Sequence, residues 1–301
     1  MNRVDAFLVL SLNHFADRWR WLDWLVTRAD HSNLITAGVL VFLAWYALFD
    51  RDQPGQLRKG YELLLGSFLL SAVAVVTARA LALTLPFRSR PIWTPDLHFH
   101  LPLVAEQRVP LGWSSFPSDH AVLYATVVTG IFFVSRRLGW LAIGWAAVVG
   151  CFPLLYLGIH WPSDILAGAL LGVAFAQIAR IPVLRSAFRQ FVIYLRRREP
   201  GLFFAMLFFG SYQVVTLFDD GRRIASRVYH LVKETAALHG TVAFGVTSLI
   251  VILVAIGAAV WAARRLASPR PFPLSRWKDD PDVTVPTTSL VEQKDRILPG
   301  A

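Results

Sequence analysis

Long apolar runs alternate with short polar breaks along most of the chain. Seven of these runs have the composition of membrane-spanning helices, which need about 20 predominantly apolar residues. They lie at 33–49, 61–86, 119–135, 138–159, 163–180, 201–218 and 241–263. Several of the breaks hold prolines or paired arginines, which are typical boundaries of spans. The pattern predicts an all-α fold, a polytopic membrane helical bundle.

The two ends of the chain do not fit this pattern. Residues 3–30 mix apolar positions with charges and carry a cluster of tryptophans, which favours an amphipathic helix lying in the membrane interface. The same helix packed on the rest of the protein is an alternative, and both can hold. The tail from Ser268 is rich in proline and charge, as disordered segments are. We therefore expect an interfacial amphipathic helix at 1–32, a five-span core at 33–181, a basic segment with two additional transmembrane helices at 182–267, and a disordered cytoplasmic tail at 268–301.

Composition agrees with a chain that folds in lipid, and the charges indicate its orientation. Hydrophobic residues make up 55% and charged residues 17%, with a formal net charge of +10. The arginines are spread among loops rather than gathered on one face, which argues against a nucleic-acid partner. Most basic loops fall on one side if the spans alternate, and the positive-inside rule makes that side cytoplasmic. The loop at 87–118 and the turn at His160 are then expected to face outward.

Two short polar islands interrupt the apolar sequence, each just before a long apolar run. They lie at 116–120 and 158–164, and each brings a histidine to the membrane boundary, where an ionisable group is a functional candidate. Each island has the form of a helix start, since Ser118 is a favourable N-cap and Pro162 suits a first helical turn. The amides at such a start bind a phosphate oxygen readily.

The two histidines offer complementary chemistry. Asp164 follows His160 by four residues, so its carboxylate can approach the imidazole ring. A carboxylate that fixes one ring nitrogen leaves the other free and more basic, as a nucleophilic histidine requires. His120 could then protonate a leaving oxygen. The alternative is an interface histidine beside an ordinary helix cap, but two such islands on one side of the membrane favour a site.

Arginines between the islands complete a candidate anion site. Arg88 and Arg90 directly follow the second apolar run, and Arg79 lies inside that run. A guanidinium at this depth must face the protein interior, a partner or a polar cavity. Arginine binds phosphate through paired hydrogen bonds. For Arg88, snorkelling to lipid headgroups is the alternative.

These residues resemble the three motifs of the type 2 phosphatidic acid phosphatase and vanadium haloperoxidase superfamily, and in particular its undecaprenyl-diphosphatase branch. The matching positions are Arg90-Pro91, Pro117-Ser118-Asp119-His120, and Gly158-Ile159-His160 with Asp164. The resemblance covers residues 33–181 and implies a phosphohistidine intermediate. It implies His160 as nucleophile, Asp164 as the residue that orients it, and His120 as general acid.

The resemblance also implies the phosphate contacts. Arg90 and the turn at Ser118 and Asp119 would hold the phosphate, and we expect Arg79 and Arg88 to assist. Two positions depart from the family pattern.

In the first motif Leu83 stands where a lysine is usual, and in the third Leu154 stands where an arginine is usual. Arg79 is one helical turn from Leu83, a rise of about 5.4 Å, and Arg88 could supply the missing arginine contact. An uncompensated loss of about 1.5–3 kcal/mol predicts a reaction roughly 10- to 150-fold weaker.

Placement and resemblance together predict an integral-membrane lipid phosphatase of a bacterial inner (plasma) membrane, with its site facing outward. Undecaprenyl diphosphate is the first choice of substrate, and phosphatidic acid or phosphatidylglycerol phosphate comes next. The resemblance implies no metal and no cofactor, and a metal site built from His98, His100 and Glu106 is disfavoured because the spacing is irregular. The alternative of another class is a catalytically impaired lipid-binding or transport protein, which the two departures and the two extra spans favour. The sequence leaves the oligomeric state open.

Overall fold

A computed structural model describes residues 3–49, 60–105 and 112–218, and within these ranges every regular element is helical. The helices are α1 (Arg3–Asn13), α2 (Arg20–His31), α3 (Leu34–Phe49), α4 (Tyr61–Thr84), α5 (Asp119–Val134), α6 (Arg136–Tyr156), α7 (Pro162–Ile178), α8 (Pro182–Arg198) and α9 (Pro200–Val215). A π-turn at Leu34–Gly38 opens α3, and another at Ala146–Cys151 lies inside α6. The all-α prediction is confirmed for the described part of the chain.

The apolar helices identify an integral membrane protein. Among the described residues α4 and α6 are each long and apolar enough to cross a bilayer. The pairs α2–α3 and α7–α8 bend by 76° and 71°, and counting each pair as one span gives up to four spans. Helices occupy the first six predicted runs to within three residues at either end. The seventh run, 241–263, and the predicted tail, 268–301, lie outside the described residues, so the layout of five spans followed by two stays a prediction.

The N-terminal region forms two helices where one was expected. Between them Asp17 adopts a positive φ of 60°. Its carboxylate accepts a hydrogen bond from the Leu103 amide at 2.9 Å and contacts the ring of His100 at 2.5 Å. The Leu103 amide and the imidazole hold the pKa of Asp17 below its ordinary value against the opposing effect of burial. The helix breaks here because a distant loop, which local sequence does not reveal, binds the turn.

Both N-terminal helices pack one face on the protein and leave another open. In α2, Asp23 and Val26 are buried, and Asp23 accepts a hydrogen bond from the hydroxyl of Tyr156 in α6. Trp21 and Trp24 on the same helix remain 64% and 55% exposed. The contacts therefore agree with packing against the core and leave an apolar surface for the bilayer interface.

The core is organised around α5, which packs against α4 and α7. Two glycines of α7, Gly168 and Gly172, allow a very close approach, as small residues do between membrane helices. A Cβ at Gly172 would lie 2.3 Å from the carbonyl oxygen of Val122, and one at Gly168 would lie 2.5 Å from that of Ser118. Thr126 of α5 also donates a hydrogen bond to the carbonyl of Gly172 at 3.1 Å. This contact fixes the distance between the two helices whose starts carry the polar islands.

We expect Gly172→Ala to destabilise the protein by about 1–3 kcal/mol, because the added methyl overpacks α5 against α7. Thermal unfolding of the purified protein in detergent measures the loss. Gly144→Ala in α6 is the matched control, since a Cβ there meets nothing within 4 Å. Equal unfolding temperatures for the two variants would contradict the importance of the close approach.

Candidate active site

The two polar islands and the end of α4 meet at one end of the bundle. The imidazole rings of His120 and His160 lie 6.5 Å apart between centroids. His160 is 2% exposed, whereas the side chain of His120 is 33% exposed. Residues 40 positions apart in sequence thus come together in one site, where His160 is enclosed and the ring of His120 is partly accessible.

The first island is a capped helix start, as predicted. The hydroxyl of Ser118 accepts a hydrogen bond from the Ala121 amide at 3.4 Å, and Ser118 is fully buried. Its own amide donates to the main-chain carbonyl of Asp164 at 3.2 Å, which joins the two islands directly. The cap therefore sets both the direction of α5 and its distance from the second island.

The second island is also a capped start. Pro162 occupies the first position of α7, and the carboxylate of Asp164 accepts the amide of Trp161 at 2.9 Å. The amide of His160 donates to the carbonyl of Leu154 at 3.1 Å. These local bonds, which the residue types at this spacing favour, hold the backbone on both sides of His160.

The ring of His160 is held in one tautomer. Its Nδ1 lies 2.8 Å from the main-chain oxygen of Ser115. A carbonyl oxygen only accepts hydrogen bonds, so in the neutral ring Nδ1 carries the proton and Nε2 keeps its lone pair. The Asp164 carboxylate is 3.7 Å from Nδ1, beyond hydrogen-bond distance, and acts on the ring through its charge. The direct orienting partner is therefore Ser115, which the sequence did not reveal.

Burial lowers the pKa of His160, and the positive charge of Arg90 adds to the effect. Contacts with Asp164 and the charge of Asp119 oppose this shift without reversing it. Because the neutral ring is the one with a free lone pair, a lowered pKa keeps Nε2 available as a nucleophile to lower pH.

Arg90 faces that lone pair. Its Nη1 lies 3.4 Å from Nε2 of His160 and donates to the carbonyl of Ile159 at 2.7 Å. Further bonds of 3.4 Å reach the carbonyls of Trp113 and Ser114. No carboxylate of the described residues lies within ion-pair distance of Arg90, which is 4% exposed. Neutral carbonyls thus fix a guanidinium whose charge remains available to an anion.

The other two predicted arginines are engaged by carboxylates. Arg79 forms an ion pair with Asp119 and lies over the ring of Trp113 at 4.9 Å. Arg88 donates to Asp164 at 2.5 Å and to Asp5 at 2.6 Å. Both side chains are 28% exposed, so they border the pocket while their charges are balanced. Of the three, Arg90 is the one that is held by carbonyl groups rather than by carboxylates.

Asp119 links Arg79 to the second histidine. One carboxylate oxygen pairs with Arg79, and the other lies 3.5 Å from Nδ1 of His120, a ring nitrogen that is buried and makes no hydrogen bond. The contact places a negative charge beside His120 and leaves the ring partly accessible. A partly accessible imidazole beside a carboxylate is chemically able to exchange a proton with a bound molecule.

The same residues favour an anion over a metal ion. Asp119, His120 and His160 each offer one ligand atom within 4.8 Å of the others. However, Asp119 is paired with Arg79, and Arg90 faces the ring nitrogen of His160 that a metal would need. The positive charges of Arg79 and Arg90, which contact two of the three would-be ligands, repel a cation. Of the disfavoured trio, His98 and His100 lie in the loop between α4 and α5, where His100 contacts Asp17, and Glu106 lies outside the described residues.

The two departures from the family pattern occupy different environments. Leu83 is 87% exposed, so it faces away from the pocket, whereas Arg79 one turn earlier reaches Asp119 inside it. Leu154 is buried, and its carbonyl holds the His160 amide. Arg79 therefore provides a positive charge one helical turn before the position of the usual lysine. At position 154 no charge is provided, and the residue contributes only its carbonyl to the His160 amide.

Comparison with known proteins agrees with this arrangement. Residues 86–186 match the model of the PAP2 superfamily, and this range holds both polar islands together with Arg88 and Arg90. The chain therefore contains a PAP2 superfamily domain, as its motifs predicted. Arg79 and the helices α1 to α4 precede the matched range.

Individual relatives match shorter segments. The bacitracin transport permease protein BcrC of Bacillus licheniformis is 43% identical over 63 residues, 21% of this chain and 30% of that protein. The undecaprenyl-diphosphatase of Sulfolobus acidocaldarius is 36% identical over 58 residues, 19% of this chain and 28% of that protein. The chain thus spans less than a third of the length of these curated relatives. The crystal structure of Aquifex aeolicus LpxE aligns with 57% of this chain and 92% of its own, with 23% identity and a TM-score of 0.39.

Proposed function

We propose that this chain is an integral-membrane lipid phosphatase that hydrolyses a lipid phosphate or diphosphate through a phosphohistidine. The observation that carries the proposal is the lone pair on Nε2 of His160, which faces the uncompensated guanidinium of Arg90 at 3.4 Å. An anion bound by Arg90 is brought next to the nucleophile, and its charge is partly neutralised by the same contact.

The residues suffice for a two-step reaction. In the first step the Nε2 lone pair of His160 attacks phosphorus, the bond from phosphorus to the leaving oxygen breaks, and protonated His120 gives that oxygen its proton. In the second step a water attacks the phosphohistidine while His120, now neutral, takes a proton from the water. The phosphorus–nitrogen bond breaks, inorganic phosphate leaves, and both histidines return to their starting states.

A groove beside the site supports a lipid as the substrate. It has a volume of about 660 Å³ and is lined mainly by apolar side chains of α5, α6 and α7. The lining begins at Ala121, next to His120, and reaches Phe133 and Gln177 at the far ends of α5 and α7. Twelve residues of helix span about 18 Å, which suits a hydrocarbon chain whose phosphate lies at the histidines.

The distribution of basic residues supports an outward-facing site. α5 and α7 both start at the site, so their far ends lie on the opposite side of the membrane. Arg136 and Arg137 follow α5, and the side chain of Arg180, which follows α7, lies over the ring of Phe133 at 5.6 Å. The basic helix α8 continues from that end. By the positive-inside rule we expect this end to be cytoplasmic, which supports the proposal that the histidines lie at the outer face of a bacterial inner membrane.

Undecaprenyl diphosphate is the first choice of substrate, since one curated relative is named undecaprenyl-diphosphatase. Phosphatidic acid and phosphatidylglycerol phosphate have the same phosphate chemistry and come next. A second candidate function, lipid binding or transport with little catalysis, is favoured by one observation: buried Leu154 supplies no cation beside His160.

Phosphate release from a panel of lipids tests the proposal. We expect the purified full chain to hydrolyse undecaprenyl diphosphate with a higher kcat/KM than phosphatidic acid, phosphatidylglycerol phosphate or the soluble ester p-nitrophenyl phosphate. A higher kcat/KM for a glycerophospholipid would overturn the choice of tail. Equal use of p-nitrophenyl phosphate would overturn the lipid specificity. Binding of the lipids without release of phosphate from any would leave the transport or binding function.

A further inference from the structure

Asp5 of α1 is a buried carboxylate that reaches the site from the far N-terminus of the chain. The buried face of α1 carries Asp5, Val9 and Asn13, which are spaced by one helical turn each. Val9 packs with Trp161, the residue that follows His160. Asn13 is fixed by two hydrogen bonds to the backbone of His100, of 2.6 and 2.9 Å. These contacts hold α1 so that Asp5 points at the start of α7.

Both oxygens of Asp5 are used there. One accepts the amide of Ser163 at 3.1 Å, and the other accepts the hydroxyl of Ser163 and Nη2 of Arg88, each at 2.6 Å. The Ser163 amide is one of the donors that the first turn of a helix leaves without an intrahelical partner. Asp5 therefore caps α7 from another helix, across 158 residues of sequence.

Arg88 carries this contact into the catalytic island. Its Nη1 donates to Oδ1 of Asp164 at 2.5 Å and to the Ser163 hydroxyl at 2.8 Å. Its guanidinium carbon also lies 5.6 Å from the centre of the Trp161 ring. The second oxygen of Asp164 accepts the Trp161 amide and is the one that lies 3.7 Å from Nδ1 of His160. A continuous series of charged contacts thus runs from Asp5 through Arg88 and Asp164 to His160.

Two carboxylates on one guanidinium have a specific consequence. Arg88 is 28% exposed beside the proposed phosphate site, so it can turn toward a bound phosphate unless it is held. If Asp164 were its only carboxylate partner, Arg88 could leave Asp164 to bind the phosphate of the substrate. Asp5 adds a second negative partner, which binds Nη2 while Asp164 binds Nη1, so Arg88 stays on Asp164 and that carboxylate stays beside His160.

We propose that Asp5 is a positioning residue of the active site, which acts through Arg88 to hold Asp164 against His160. The inference rests on the proposed function of that site. It goes beyond the family match, because α1 lies outside the matched residues 86–186.

The test uses Asp5→Asn, which keeps the size of the side chain and removes its charge. With undecaprenyl diphosphate we expect kcat to fall by about 10- to 100-fold, the loss typical of outer-shell groups that orient a metal-bound histidine, with KM little changed. Asp5→Glu, which restores the charge, is expected to lose less. Asp23→Asn is the matched control, since Asp23 is an equally buried carboxylate that ties α2 to α6, away from Arg88, and we expect it to keep the wild-type kcat.

A double substitution separates positioning from anchoring. If Asp5 acts on kcat through Arg88, adding Asp5→Asn to Arg88→Gln lowers kcat much less than Asp5→Asn alone does, because the connection to Asp164 is already broken and only the bonds to Ser163 remain to be lost. Losses that multiply would overturn the proposal. An equal fall in kcat for Asp23→Asn would also overturn it, since both carboxylates would then only anchor the N-terminal helices.

Binding of orthovanadate to the full chain provides a readout that needs no turnover. Orthovanadate mimics a phosphoryl group bonded to Nε2, so its affinity reports the orientation of His160. We expect about 10-fold weaker binding to Asp5→Asn and unchanged binding to Asp23→Asn. If the wild type released no phosphate, the proposed function would fail while this comparison still decided the role of Asp5. Equal vanadate affinity of Asp5→Asn and wild type would overturn the positioning role.

Discussion

His160→Asn is expected to lower kcat with lipid diphosphate by about 10⁴- to 10⁶-fold, as loss of a nucleophile does elsewhere. The asparagine amide can still donate a hydrogen bond to the Ser115 carbonyl, so the buried position keeps a polar partner. It has no atom that can replace the lone pair of Nε2. The measurement is phosphate release together with acid-labile phosphate bound to the protein after rapid quenching.

The control for this variant is His14→Gln, an exposed histidine of the segment between α1 and α2. It should retain wild-type turnover and the acid-labile phosphoprotein. Residual activity of His160→Asn within about 10-fold of wild type would exclude His160 as nucleophile, because that loss is only about 1.4 kcal/mol of barrier.

Arg90→Gln is expected to lower kcat/KM by about 10²- to 10⁴-fold, since two charge-assisted hydrogen bonds to phosphate are lost. The pH profile should also move. Arg90 contributes to the lowered pKa of His160, so its removal raises that pKa. As the pH falls, the neutral ring that acts as the nucleophile is then protonated at a higher pH than in the wild type. The acid limb of the pH profile of kcat/KM therefore shifts to higher pH.

Arg137→Gln provides the control for Arg90, because Arg137 is exposed and lies at the opposite end of α5. It should change neither kcat/KM nor the acid limb. An Arg90→Gln enzyme with normal kcat/KM would show that Arg79 or Arg88 binds the phosphate instead. An acid limb that stays in place while kcat/KM falls would show that Arg90 binds substrate without influencing His160.

Features decided within a few residues were predictable from the sequence. Ser118 caps α5 by accepting the amide of Ala121, three residues on. Pro162 opens α7 next to the local bond between Asp164 and the Trp161 amide. The positions of the helices follow from apolar runs in the same way. The segment at 182–198 was described only as basic, although it forms the helix α8, because arginine is as compatible with a helix as with a loop.

Features decided by distant partners were not predictable. Ser115 holds His160 with a main-chain oxygen, which any residue type would offer, so the sequence carries no signal for it. Arg88 and Arg90 stand two positions apart, and both were predicted to bind phosphate, Arg90 as part of the family motif and Arg88 in support. Only the fold reveals that Asp5 reaches Arg88 across 83 residues of sequence, while Arg90 turns to carbonyl groups.

The contact between Asp5 and Ser163 also has a consequence for biosynthesis. Asp5 leaves the ribosome well before Ser163, which lies 158 residues further along the chain, so its two hydrogen bonds with Ser163 form only after that residue has been made. Until then the Asp5 carboxylate lacks some of its final hydrogen-bond partners, and its burial would cost free energy, so α1 is expected to keep it in contact with water. The residues before 163 are therefore made before the proposed site can be completed, and a nascent chain stopped before residue 163 is expected to be inert.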